Sequence, residues 1–178
     1  MHRILILIWL AIFAVSAAAQ KSAGQGLPID FTATDMAGKK VSLTELRGKV
    51  VVLNLWFINC PNCLGEIEAL NEIVKDYRSN REVVFLAPAA SPKQELEAFL
   101  KKYPFDYQVL PDSIMIMMIL MKFGSPDSNG EINVPFPMHY VLDRNGNTVV
   151  KMQGTKGVAA VRAELAKQFP AAAPTKKP

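Results

Sequence analysis

Cysteine is nearly absent from this chain: 178 residues contain two, Cys60 and Cys63. Histidine is as rare, and one of its two occurrences, His2, lies in the apolar N-terminal segment. A tetrahedral zinc site asks for about four ligands, and with no second cysteine pair a structural zinc cluster is excluded. No cluster of Lys and Arg alternates with aromatic residues, so the net charge of +4 and pI near 9.1 do not trace a nucleic-acid footprint. No internal repeat and no interdomain linker is visible. The longest apolar run, Ile4 to Val15, falls short of the ~20 residues of a membrane-spanning helix. With 50% hydrophobic and 20% charged residues, the composition is that of one globular domain with a core of its own.

The apolar run follows Arg3 and ends in Ala17-Ala18-Ala19, an A-x-A pattern. Residues 1–19 therefore read as a secretory signal peptide cut after Ala19, the alternative being an uncleaved membrane tether. "QKSAGQGL", residues 20–27, reads as a flexible leader, residues 28–169 as the folded domain, and "PAAAPTKKP", residues 170–178, as a disordered tail. Export, here to a periplasm, puts the cysteines in oxidising surroundings where disulfides persist. A pair separated only by Pro61 and Asn62 closes a very small loop, which constrains the unfolded chain little. Such a pair suits opening and closing better than holding a fold together.

Periodicity supplies the surroundings. "DFTATDMAGKKVSLTEL" alternates apolar and polar residues around Gly38, predicting a β-hairpin and then a helical turn at Thr44 to Leu46. Lys49 to Phe57 is a β-branched, apolar run of the kind buried on both faces. After the cysteines, Leu64, Ile67, Leu70, Ile73, Val74 and Tyr77 fall on one helical face, with Glu66, Glu68, Glu72, Lys75 and Asp76 assigned to the other. Glu82 to Ala87 predicts a second buried strand, and Ser91-Pro92 opens a second helix with Ser91 as N-cap and Gln94 in capping-box position. "MHYVLDRNGNTVVKM" predicts two strands joined by a type I′ turn at Asn145-Gly146, and a last helix runs from about Lys156 to Phe169. The order implies an α/β fold with a mixed sheet and helices on both faces. Cys60 then stands at a helix N-terminus, where free N–H groups and the macrodipole favour a thiolate, and Cys63 one turn further in is the resolving thiol.

Through "GKVVVLNLWF", "CPNC", "GEIEALNEI" and "PMHYVLDRNG", the segment from Leu27 to Phe169 resembles the thioredoxin-like exported thiol-disulfide reductases of the TlpA/ResA group, within the redoxin/AhpC-TSA superfamily. The resemblance implies a thioredoxin fold with an N-terminal extension and an insertion before the third core strand. It implies a protein-disulfide reductase that keeps exported cysteines reduced, for example those of apocytochromes c or copper-site proteins. The electrons would come from a membrane-bound thiol donor. The redox-active disulfide Cys60–Cys63 would serve as the redox centre with no organic cofactor, in a monomer. Pro137, six residues before Asp143, matches the family's cis-proline, with Pro135 as its rival, and the backbone of Phe136 would pair with an extended substrate segment. Asn54 stands where cytosolic thioredoxins carry a buried acid. Glu66, three residues after Cys63, matches a family glutamate that tunes the thiols and shuttles protons; the bland alternative is a solvated helix residue. Trp56 matches an aromatic packed under the motif, or is simply core. Asn59 and Asn62 depart from the tryptophan and second proline of many members, which leaves the redox potential open.

Two other functions compete. A copper-binding protein would use Cys60, Cys63 and His139, with the methionines of "SIMIMMILMKFG" adding soft ligands or an adaptable docking surface. The plainer account makes that segment a short core helix and His139 a strand residue satisfied by its neighbours. A thioredoxin-fold peroxidase is the other rival, but the P-x-x-x-[ST]-x-x-C arrangement it requires is absent before Cys60.

Overall fold

The computed structural model describes residues 30–121 and 136–170. The expected signal peptide, the leader, Pro135 and the tail beyond Pro170 lie outside the described residues. The elements are β1 (Thr32–Thr34), β2 (Lys40–Ser42), a 3₁₀ turn (Thr44–Leu46), β3 (Val50–Leu55), α1 (Pro61–Asp76), β4 (Val83–Pro88), α2 (Lys93–Lys102) and β5 (Gln108–Leu110). They continue as α3 (Ile114–Met121), β6 (Met138–Leu142), β7 (Thr148–Gln153) and α4 (Gly157–Gln168). The main sheet runs β5-β4-β3-β6-β7. Within it β3, β4 and β5 are parallel, while β6 and β7 are antiparallel to their neighbours, which makes the mixed sheet the sequence implied. β1 and β2 form the separate antiparallel hairpin.

β3 is buried at every position because it is central and covered on both faces. Val50, Val52 and Trp56 belong to a core cluster shared with Leu70 and Ile73 of α1, Leu96 of α2 and Val161 and Leu165 of α4. Val51, Leu53 and Leu55 belong to a second cluster with Met117 and Leu120 of α3 and with Phe31, Val41 and Leu43 of the hairpin region. The two clusters are the period-2 alternation of one strand made visible. The outer strand β7 alternates partly buried and exposed residues instead, as an edge strand with one wet face does.

Several expectations need correcting. Ser91 does not cap α2: Pro92 occupies the N-cap position without a side-chain bond, and Asp112 Oδ2 accepts from the Lys93 N–H at 3.4 Å. The β6–β7 turn is not type I′, which requires φ > 0 at both central residues. Gly146 has φ of 79°, but Asn145 does not share the left-handed region, and the Gly146 N–H donates to the Asp143 carbonyl at 2.8 Å. This is a turn over Arg144-Asn145 followed by a left-handed glycine, with a register shift at Val141/Leu142. Between the second strand and the proline loop the expected helices α2 and α3 are both present, and the element not expected is β5, which extends the sheet beside β4. α3 covers one face of the sheet, anchored where the Tyr140 hydroxyl donates to the Leu120 carbonyl at 3.0 Å. Burial raises the Tyr140 hydroxyl to about 12.

The hairpin is fastened to the sheet edge by Asp35. Its Oδ1 accepts from the Ala37 and Lys39 N–H groups at 3.0 and 2.8 Å, and its Oδ2 accepts from Gln108 Nε2 at 2.7 Å. These donors, the Gln108 amide foremost, outweigh burial and hold the carboxyl below its ordinary range. A depressed folded-state value adds stability that is present above the unfolded carboxylate range and lost as pH falls through the folded value. Asp35→Ala is expected to lower urea-unfolding stability by about 1–3 kcal/mol at pH 7, with the gap to wild type closing below about pH 4; a pH-independent gap would contradict the assignment.

α4 meets β6 at Gly157. An added Cβ there would overlap the His139 ring at its Cδ2, Cγ and Nε2 atoms, although the glycine's φ is not left-handed. Gly157→Ala is expected to cost about 1–3 kcal/mol by forced repacking, read as a lower denaturant midpoint; an unchanged midpoint would show that the ring moves freely.

Candidate active site

The apolar run of β3 ends in Leu55, and the pairing continues through Trp56, bridged to Ala89, before the chain turns at Phe57 to Asn59. The Cys60 N–H donates to the Phe57 carbonyl at 3.2 Å, closing that turn. Cys60 is the N-cap of α1 and Pro61 its first residue, where a missing donor costs nothing. The two cysteines form a disulfide, and the Cys63 N–H donates to Cys60 Sγ at 3.2 Å. A sulfur in the N-cap position thus takes a helix N–H that an oxygen ordinarily accepts, and the same contact favours negative charge on Cys60 when the bond opens. Both cysteines are buried, at 4% and 2% exposure.

The turn is held from outside by a residue to which the sequence reading gave a different task. The Ser91 hydroxyl accepts from the Ile58 N–H at 3.1 Å, so Ser91 braces the loop before Cys60. Beneath the loop, Trp56 lies between the rings of Phe99 and Phe105, with centroids at 5.6 and 5.4 Å. It shares one buried cluster with both cysteines, so it is a core residue and also the floor of the motif.

The Phe136–Pro137 peptide bond is cis. Register pairs Leu55 with Met138, which sets Pro137 across from Trp56 at the same end of the sheet as the cysteines. Phe136 meets Phe57 edge to face at 5.2 Å, joining the proline loop to the cysteine loop. The Pro137 carbonyl is occupied by the Gly154 N–H at 2.8 Å.

Glu66 departs from expectation. Assigned to the polar face, it is 5% exposed. Residues 66, 70, 73 and 77 are spaced four, three and four apart, so the buried stripe already contained position 66; its residue type concealed it. Glu66 Oε1 accepts from Asn54 Nδ2 at 3.2 Å and lies 3.1 Å from His139 Nε2. Asn54 Nδ2 also lies 3.3 Å from His139 Nδ1. An amide nitrogen only donates, so Nδ1 accepts and the imidazole proton sits on Nε2, towards Glu66. That contact is close but off the N–H axis, since Nε2 satisfies no aligned hydrogen bond. Glu66 Oε2 likewise makes none among the described residues. The fully buried Tyr107 hydroxyl is pushed well above its ordinary value by desolvation first and by the Glu66 charge second. Sequence reasoning passed over this Asn54–Glu66–His139 group, although Asn54 and His139 are register partners on adjacent central strands.

His139 is thus turned to Asn54 and Glu66 rather than to the sulfurs. Among the described residues no three His, Cys, Asp or Glu side chains are grouped to hold a metal ion. The methionine segment divides: Met117 is buried in the core, while Met115 and Met118 are exposed.

The arrangement can do two-electron thiol chemistry: a nearly dry sulfur pair at a helix start, an apolar rim of Phe57, Ile58 and Phe136, and a buried carboxyl group one turn further along the helix. The chain is 26% identical over 141 residues to the thiol-disulfide oxidoreductase ResA of Bacillus cereus, covering 79% of this chain and 76% of that protein. It is 31% identical over 126 residues to the thioredoxin-like protein YneN of Bacillus subtilis, covering 69% and 66%. Among solved structures, a thiol:disulfide interchange protein of the thioredoxin family from Chlorobium tepidum superposes with a TM-score of 0.65 at 20% identity, covering 82% of this chain and 95% of that one. The exposed lipoprotein thioredoxin of Streptococcus pneumoniae superposes at 0.61 and 20% identity, over 78% and 99%. These likenesses share the thioredoxin-like fold. The profile of the AhpC/TSA family matches residues 23–151, and the chain belongs to that family.

Proposed function

We infer that this protein is a thiol-disulfide oxidoreductase working as a reductase of exported proteins, with residues 28–169 as the working domain. The observation that carries the reading is the Cys60–Cys63 disulfide at the first turn of α1, beside a cis-proline loop. The similarity to ResA supports the reaction class.

In the reduced protein, Cys60 Sγ is the nucleophile, favoured as thiolate by the Cys63 N–H. It attacks a substrate disulfide, forming a Cys60–substrate bond and releasing one substrate thiolate. Cys63 then gives up its proton to Glu66 and attacks Cys60 Sγ. The Cys60–substrate bond breaks, the Cys60–Cys63 bond forms, and the second substrate sulfur leaves as a thiolate. Two electrons pass to the substrate, and a membrane-bound thiol donor would return them. Pro137 and the Phe136 backbone shape the cleft for an extended peptide. The A-x-A leader supports export to the periplasm, and substrates such as apocytochromes c fit a reductase placed there.

The test is a trap. Cys63→Ser, reduced and mixed with a disulfide-linked peptide, is expected to accumulate one mixed disulfide at Cys60 that wild type resolves, while Cys60→Ser captures none. Capture at Cys63 in the Cys60→Ser protein, or none in either variant, would overturn the assignment of roles.

A further inference from the structure

His139 is fully buried and takes no direct part in the sulfur chemistry just described. A buried imidazole without polar partners is costly, so its surroundings report its task. Asn54 Nδ2 fixes Nδ1 as the acceptor, which leaves the Nε2 proton facing Glu66 Oε1. Asn54 Nδ2 donates to that same oxygen. Oε1 thus accepts one aligned hydrogen bond, from Asn54, with His139 Nε2 3.1 Å away but off the bond axis, and Oε2 makes none among the described residues, one helical turn from Cys63. α4 packs against the ring at Gly157, where an added Cβ would overlap its Cδ2, Cγ and Nε2 atoms.

We propose that His139 is a positioning residue for the exchange: its Nε2–H, 3.1 Å from Oε1, keeps the Glu66 carboxyl group turned so that Oε2 receives the proton of Cys63. This rests on the reductase reading above. Other titratable groups facing the pair are Cys63 itself on α1 and the Tyr107 hydroxyl beyond β4, which stays protonated and cannot serve as base. From β7 the register partner is Met152, and from α4 the neighbour is Gly157, both without charge. Lys156, ahead of Gly157, is exposed, and Lys151 stands one register position away opposite Tyr140.

Deleting the Nε2 donor leaves a buried carboxylate short of hydrogen bonds, which favours its protonated form and takes away the base at low pH. The step to follow is resolution of a mixed disulfide between Cys60 and glutathione. Here the Cys63 S–H proton passes to Glu66, the Cys60–Cys63 bond forms, and glutathione leaves as a thiolate. The probe is reduced full-length protein mixed with glutathione disulfide across pH 5 to 9 by stopped flow. Glu66→Gln should slow resolution by about 100-fold. His139→Leu should move the acid limb of the rate profile upward by about one pH unit, a roughly tenfold loss below it. His139→Gln, whose amide N–H can replace Nε2–H, should remain within about threefold of wild type. A profile unchanged in His139→Leu, or equal slowing at every pH in both His139 variants, would overturn the proposal. If His139→Leu does not fold, imidazole nitrogen shifts in the wild-type protein decide: an Nε2–H tautomer is expected in both redox states, and an Nδ1–H tautomer overturns it. Failure of wild type to react with glutathione disulfide at all would instead sink the oxidoreductase reading.

Discussion

Strand β3 is covered on both faces and paired along both edges, so the chain leaving it has one place to go. Trp56 is seated between Phe99 and Phe105, the loop after it is braced by Ser91, and Cys60 arrives as the N-cap of α1. Any shift of that strand would move the sulfur pair, the proline loop and the buried polar group together. A packed interior resists such movement because it has few voids to absorb it.

The same constraint accounts for the polar network. Asn54 is the single polar residue in an otherwise apolar strand, and a buried amide must find partners. It finds them in the strand beside it, at His139, and in the helix above it, at Glu66. The consequence is a buried carboxyl group one helical turn after Cys63. Water has little access to cysteines 4% and 2% exposed, which is why the proposed exchange assigns the proton of Cys63 to a protein group.

Much of this was legible in the sequence. The buried strand, expected over Lys49 to Phe57 and found over Val50–Leu55, the helix expected from near Cys60 and the hairpin around Gly38 followed from periodicity and capping, and the cis bond at Pro137 from family resemblance alone. What escaped did so for local reasons. Glu66 has the chemistry of a surface residue and the spacing of a core one, and residue type prevailed over position. Ser91 before a proline has the form of an N-cap, yet its hydroxyl serves a loop distant in sequence, which no local pattern records. Asn145-Gly146 carries the signature of a two-residue hairpin turn, but Asp143, whose Oδ1 accepts from the Asn145 and Asn147 N–H groups at 2.9 and 2.8 Å, stabilises a longer one. His139 was visible as a strand residue; its partners became visible only when β3 and β6 were set side by side.

Burial of both sulfurs withdraws water from any thiolate, leaving a helix N–H as its main support, and this favours a disulfide that is hard to reduce over one that oxidises its partners. The most direct measurement is the reduction potential of the Cys60–Cys63 couple in the protein, equilibrated with dithiothreitol or glutathione buffers at pH 7. The account predicts a value near or below the roughly −270 mV of thioredoxins, and a value near the roughly −120 mV of strong periplasmic oxidants would contradict it.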